Sequence, residues 1–407
     1  MTRLGQLKTD CLIAFVALLL LAPGAGAQVG EMKPVTPGRS EPDQAKPVQS
    51  TSPDADLRDR AIKLMRRGAH FLIASQRDDG AWGTRESIGV AALATRALAL
   101  SPDIGPRHPA TRSGVKSVIR SQRKDGGIYS AGSLHQNYET SVAISMLAAL
   151  KDETPRPELE KARDYVMREQ WDESENRKPD DTFYGGAGYG GGMRPDLSNT
   201  QIMLDALHDS GLPQDDPAYA KAMVFVQRCQ MRAETNDQPF ARGAADGGFI
   251  YSPAGGGESK AGAVTDPDTA DRRLRTYGTM TYAGFKSMLY AGLSKNDPRV
   301  QAAWDWIRDY YTLDHNPNMP ETQSRQGLFY FYHVFARALA AWDDDVVVDR
   351  QGRRHEWRRD LVEHLEAAQR PDGSWVNEED RWMEGNPTLA TSFAMLALAE
   401  AFDLDQK

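Results

Sequence analysis

One short phrase recurs along this chain. At Gln369-Arg370-Pro371-Asp372-Gly373-Ser374-Trp375 it reads Gln-x-x-Asp-Gly-x-Trp, between two helical patterns. The same residues stand at Gln76, Asp79, Gly80 and Trp82. At Gln122, Asp125 and Gly126 the Trp slot is taken by Ile128. A fourth copy survives as Asp246-Gly247-Gly248-Phe249, its glutamine (Gln227 or Gln230) displaced by an insertion. Recurrence at a spacing of tens of residues marks a repeat architecture, whose units bury their apolar faces on one another.

The phrase has a local explanation. Glycine can take the left-handed conformation that ends a helix, and Asp can accept from nearby backbone donors. The aromatic supplies a large apolar face, and glutamine can bond exposed backbone at helix ends. A chemical reading would make Asp79, Asp125, Asp246 and Asp372 catalytic acids. A single active site does not need equivalent copies in every repeat, so the phrase is read as a joint.

Between the joints, helical patterns of two kinds alternate. Amphipathic patterns run over 57–76, 108–122, 157–170, 216–230, 298–312 and 356–369. In the first, Leu57, Ala61, Leu64, Gly68 and Leu72 share one face, with arginines elsewhere. Patterns apolar on nearly every side fit 87–100, 138–150, 197–210, 276–293, 328–342 and 388–402. A helix apolar all round is buried all round. Six outer helices enclosing six inner ones satisfy both kinds. The expected fold is therefore all-α, a ring of helix pairs over 57–407. Asn386 before Pro387, Asp196 and Asn137 are candidate N-caps for inner helices.

The N-terminal segment reads differently. Arg3 and Lys8 precede an apolar run from Cys11 to Ala22, followed by Ala25-Gly26-Ala27. The run is well short of the ~20 residues of a membrane span and fits a cleavable secretory signal over 1–27. The mature chain is then expected to be secreted or periplasmic, without a transmembrane span. Residues 28–56 are polar and proline-punctuated, with little to bury, and read as a linker. Removal of Cys11 leaves only Cys229, which excludes an intrachain disulfide and a multi-cysteine zinc site. The formal charge of -8, with no long basic block, argues against nucleic acid as a partner.

The repeated phrase resembles the Gln-Trp repeat of squalene-hopene cyclases, oxidosqualene cyclases and protein prenyltransferase β subunits. The resemblance covers three joints well and a fourth in part. Two junctions, near 170–190 and 312–328, match only in helix order. It implies an (α/α)6 toroid around a cavity that holds an isoprenoid or other apolar small molecule. The family's reaction-bearing motifs are incomplete here. The cyclase Asp-x-Asp-Asp is approached by Asp266-Pro267-Asp268-Thr269-Ala270, which lacks the last Asp. Of the prenyltransferase zinc set only the histidine has a counterpart, in Tyr332-His333. No metal and no cofactor are therefore expected, and catalysis is left open.

The remaining candidates cluster at the starts of inner helices, which should converge on one mouth of the ring. Arg272, Arg273 and Arg275 could hold an anion there. Tyr138, Tyr330 and Tyr332, with Phe329 and Phe335, are candidate walls. Glu139, Tyr277 and His333 are candidate acids, bases or donors. The glycine-rich stretch Gly185–Gly192 lacks a P-loop ending and reads as a rim loop. Two other functions stay open on sequence: a carbohydrate-active toroid (lyase or hydrolase) and a non-catalytic interaction domain.

Overall fold

The computed structural model describes residues 53–83, 88–265 and 272–404. The segment 1–27, the linker up to residue 52 and the Asp266–Ala270 motif lie outside them. Among the described residues, twelve α-helices alternate between two rings. The outer helices are α1 (Pro53–Ala74), α3 (Pro109–Ile119), α5 (Arg156–Arg168), α7 (Pro217–Cys229), α9 (Pro298–Asp309) and α11 (Trp357–Ala368). The inner helices are α2 (Ile88–Ala99), α4 (Gln136–Ala148), α6 (Leu197–Asp209), α8 (Gly278–Tyr290), α10 (Leu328–Trp342) and α12 (Pro387–Phe402). The first helix thus takes in Pro53–Asp56, which the sequence assigns to the linker. Each inner helix packs on the next, and α12 packs on α2, so the inner ring closes. The outer ring closes through α1 against α11. None of the described helices is long and apolar enough to cross a membrane.

The joints explain the closure. Gln76 Nε2 donates to Gly80 O within its own turn and to Ala110 O on the next outer helix, at 3.0 and 2.9 Å. Gln122 does the same to Gly126 O and Glu158 O. Gln369 bonds Gly373 O and Leu64 O, joining the last turn to the first helix. The Asp carboxylates accept from the backbone two residues on, at Ala81, Gly127, Gly248 and Ser374. Gly373 has φ of 89°, and a Cβ there would meet Arg67 O at 2.4 Å. Only glycine fits both demands. Trp82 and Trp375 are fully buried and donate to Leu72 O and Leu365 O.

Two expectations change. For the fourth joint, Gln230 and not Gln227 makes the paired bonds, to Gly247 O and Arg299 O. The junction near 170–190 is a full joint: Gln170 Nε2 donates to Gly185 O and Ala218 O. An insertion separates Gln170 from its glycine, and Ala187 fills the aromatic slot. The junction near 312–328 has no such glutamine. There Arg308 donates to Val348 O and Tyr311 to Asp360, at 2.6 and 2.7 Å. A buried threonine on four inner helices completes the scheme. Thr140, Thr200, Thr281 and Thr391 accept the N–H of Ile128, Ala187, Phe249 and Trp375.

Strand structure is limited to three two-stranded hairpins among the described residues. Strand β1 (Gln230–Arg232) pairs with β2 (Ala245–Phe249), β3 (Ala263–Thr265) with β4 (Arg272–Leu274), and β5 (Val347–Val348) with β6 (Arg354–His355). Asp196 and Asn386 cap α6 and α12 through the N–H groups of Asn199 and Thr388. Asn137 is not a cap. It lies inside α4, and its Nδ2 donates to Gly188 O.

Candidate functional site

The N-terminal ends of the inner helices surround a cavity of about 460 Å³. Successive turns of each helix reach successive depths. On α2 the lining runs Gly89, Val90, Leu93, Arg96; on α4, Tyr138, Glu139, Val142, Ser145. On α6 it runs Ser198, Ile202, Asp205, and on α10 Tyr330, His333, Arg337. Seven residues at 1.5 Å rise set the depth from Gly89 to Arg96 at ~10 Å. Three bands result. The rim carries His135, Tyr189, Tyr251, Lys260 and Trp382. The belt below is apolar, with Val90, Leu93, Val142, Ile202, Leu389 and Phe393. The floor is charged.

The floor is an ion network across the ring axis. Lys286 is fully buried and donates to Asp205 Oδ2 and Gln201 Oε1, both at 2.6 Å. Arg337 meets Asp209 at 2.6 Å and Asp205 at 3.3 Å. Arg96 meets Glu400 at 2.9 Å and Asp209 at 3.4 Å. Three cations thus face three carboxylates. Burial pushes the Lys286 amine down to about 8. Burial opposes the charge on Asp209, yet Arg337 and Arg96 hold its carboxyl well below the usual range. Beyond the floor, a second cavity of about 890 Å³, with mixed polar and apolar walls, opens among the C-terminal ends of the inner helices. Arg96, Ser145 and Arg337 line both cavities and so stand at the boundary between them.

His333 stands just above this boundary. It is only 6% exposed and stacks on Phe393 with ring centroids 5.8 Å apart. Burial pushes its imidazole well below the usual range, and Arg96, Arg337 and Lys286 add to the shift. The ring is therefore neutral, and its Nε2 has no hydrogen-bond partner among the described residues. Tyr330 Oη accepts from Gln201 Nε2 at 2.7 Å and lies 3.1 Å from Ser198 Oγ. Gln201 thereby links the cavity wall to Lys286.

Glu139 lines the cavity and is raised above the usual carboxylate range by burial. Its Oε2 accepts from Ser130 N at 2.9 Å. The other lining glutamate, Glu384, is also raised by burial, but it is engaged structurally. It accepts from Tyr330 N, at the start of α10, and from Asn377 Nδ2. Asp196, behind the wall, is pushed up to about 6 by burial.

Tyr138, Glu139, Tyr277, Tyr330 and His333, named from sequence, are brought together in this lining. Arg272, Arg273, Arg275 and Tyr332 are not. Arg272 and Arg273 are exposed on β4, where the hairpin carries them off the wall. Arg275 follows that strand and bonds Gly262 O through its backbone N–H. Tyr332 sits on another face of α10 and donates to Leu313 O at 2.8 Å. Phe329 and Phe335 likewise pack in the core rather than in the lining. The loop Gly185–Gly192 does form rim, through Tyr189, whose carbonyl accepts from Asn137 N at 2.9 Å. Sequence reasoning passed over Arg96, Gln201, Asp205, Lys286 and Arg337. Their signal was available: each is a charged or amide side chain inside a pattern that otherwise reads as wholly buried.

No family model matches the chain, and no curated protein does. Solved structures match it at low identity. A variant of the type II terpene cyclase MstE from Scytonema, in complex with its substrate geranylgeranyl dihydroxybenzoate, is 12% identical, with a TM-score of 0.52 over 86% of this chain and 99% of that one. A D-mannose isomerase is 11% identical, with a TM-score of 0.54 over 88% and 100%. A family 76 glycoside hydrolase from a bovine Bacteroides thetaiotaomicron strain is 11% identical, with a TM-score of 0.52 over 84% and 78%. These likenesses show the fold, an α/α toroid.

Proposed function

We propose that this protein is an exported ring protein that binds an isoprenoid or other apolar small molecule in the upper cavity. The observation that carries the reading is the apolar belt between a polar rim and a charged floor. A belt of Val, Leu, Ile and Phe side chains favours an apolar body by burial, at roughly 25 cal/mol per Å². The volume of about 460 Å³ lies in the range of small-molecule sites. A sugar would leave its hydroxyls unpaired against such a belt. That favours this reading over a carbohydrate-active ring, although rings of both kinds share the fold. The substrate of the cyclase of similar fold, a prenylated dihydroxybenzoate, is likewise part apolar and part polar.

Export rests on residues 1–27, with their basic start, apolar run and small residues at 25–27. Glu139 is the lining carboxyl best suited to give up a proton to a bound molecule, since burial favours its protonated form. The reading is tested by purifying the protein natively from the envelope of the producing cell and identifying bound molecules by mass spectrometry. Recovery of an apolar or prenylated compound is expected. Recovery of sugars alone, or of nothing under mild conditions, would overturn it.

A further inference from the structure

We propose that the floor of the upper cavity is a head-group subsite that takes the carboxylate of an apolar acid, received by His333 and Arg96. This rests on the ligand reading above and adds the chemistry of the buried end. Among the described residues, four lining side chains carry polar atoms without a hydrogen-bond partner: Asn199 Oδ1 at the start of α6, and Arg337 Nε, His333 Nε2 and Arg96 Nε at the floor. Arg337 Nε already faces Glu400 at 3.5 Å, which leaves His333 and Arg96. Both residues are only 6% exposed. A buried polar atom without a partner costs about 1–3 kcal/mol, so such a pair in one cavity marks a place where a ligand atom belongs.

The sign of that atom follows from the neighbours. The three carboxylates of the floor are already held: Asp205 by Lys286 and Arg337, Asp209 by Arg337 and Arg96, Glu400 by Arg96. None is left to receive a cationic or donor group. Arg96 Nε can only donate, and a neutral imidazole can donate from Nε2. The ligand atom that meets Arg96 Nε must therefore accept, and a carboxylate accepts from both residues with the imidazole proton on Nε2. Three cations also act on His333, opposed chiefly by Asp209, which favours a negative oxygen there. Above the floor, Leu93, Val142, Leu389 and Phe393 receive the apolar part, which extends towards the tyrosines of the rim.

The test compares geranic acid with geraniol, which share one prenyl chain and differ at the head. Calorimetric titration of the full mature chain at neutral pH should show the acid binding at least about tenfold more tightly, as expected for hydrogen bonds to a charged group. His333→Phe keeps the ring stacked on Phe393 and should shrink the acid-to-alcohol ratio towards one. His333→Gln restores a donor and should recover part of the ratio. Equal affinities in the unsubstituted protein, or an undiminished ratio in His333→Phe, would overturn the subsite while leaving the apolar-ligand reading standing. Binding of neither compound would sink both. If His333→Phe does not fold, the ratio in the unsubstituted protein decides alone.

Discussion

Gln369 Nε2 donates to Leu64 O at 3.0 Å across a sequence separation of 305 residues. One amide thereby ties the last turn of the chain to its first helix. Four other glutamines make the same pair of bonds elsewhere in the ring. Replacing Gln369 by Ala removes the donor shared by two backbone carbonyls. A loss of roughly 1–3 kcal/mol is expected, read as a lower urea midpoint. Gln170→Ala should cost a similar amount although its joint lacks the motif. An unchanged midpoint for Gln170→Ala would show that the third junction is held by something else.

The joint glycines admit no side chain. At Gly247 φ is 75°, and a Cβ would sit 2.4 Å from Ala302 O. Gly247→Ala should destabilise by more than the ~1 kcal/mol of an unfavourable backbone conformation, because the next outer helix must also move. By contrast, Gly105 has φ of 71° and open space around it. Gly105→Ala should therefore show the conformational cost alone, and thermal melts of the two variants measure the difference.

The floor should behave as a coupled unit. Lys286→Met leaves Asp205 with Arg337 as its only cation partner among the described residues. A cost of about 3–5 kcal/mol is expected for breaking a buried pair. Lys286→Met combined with Asp205→Leu should cost less than the sum of the single changes, because no orphaned carboxylate remains. Chemical denaturation of the two singles and the double gives the coupling energy, and strict additivity would refute the coupling.

Acid sensitivity should report His333. Its folded-state imidazole is held well below the ordinary value of 6.5. The unfolded chain therefore binds a proton that the folded chain refuses, once the pH falls below about 6.5. Stability lost through this group is then up to ~1.4 kcal/mol per pH unit, until the folded-state value is reached. Asp196 works in the opposite sense. Its carboxyl is pushed up to about 6, so it favours the folded state as the pH falls from there towards 3.8. Comparing unfolding free energies of the unsubstituted protein and His333→Phe between pH 7 and 5 isolates the histidine. The variant should show the flatter profile.

The cavity belt should be needed for ligand retention but not for folding. Leu93→Trp places a larger side chain in the belt and should abolish recovery of the bound molecule in native mass spectrometry. Overpacking should cost about 1–3 kcal/mol in stability, so the variant should remain folded by circular dichroism. Undiminished recovery would move the ligand out of this cavity.

The ring was legible because its signals are local or periodic. A joint is written within a few residues, as at Gln76–Trp82, and the same physics repeats it. The third joint was hidden because an insertion parts Gln170 from Gly185 and Ala187 replaces the aromatic. Part of the lining was legible too: Tyr138, Glu139, Tyr277, Tyr330 and His333 lie near or one turn beyond inner-helix starts. The arginines after residue 271 share that position in sequence, but a hairpin turns Arg272 and Arg273 outward.

The sequence by itself determined which helices are outer and which inner, and where the chain turns between them. An amphipathic helix carries its orientation in its pattern, because only one face can meet the core. An inner helix has no such phase. Its isolated charged side chain marks a buried polar position but names no partner. Only the assembled ring decided that Arg96, Asp205, Lys286, Arg337 and Glu400, from five different helices, would meet as one network. Tertiary packing brings these charges together across separations as long as 304 residues, and pairing of opposite charges is what makes their burial tolerable.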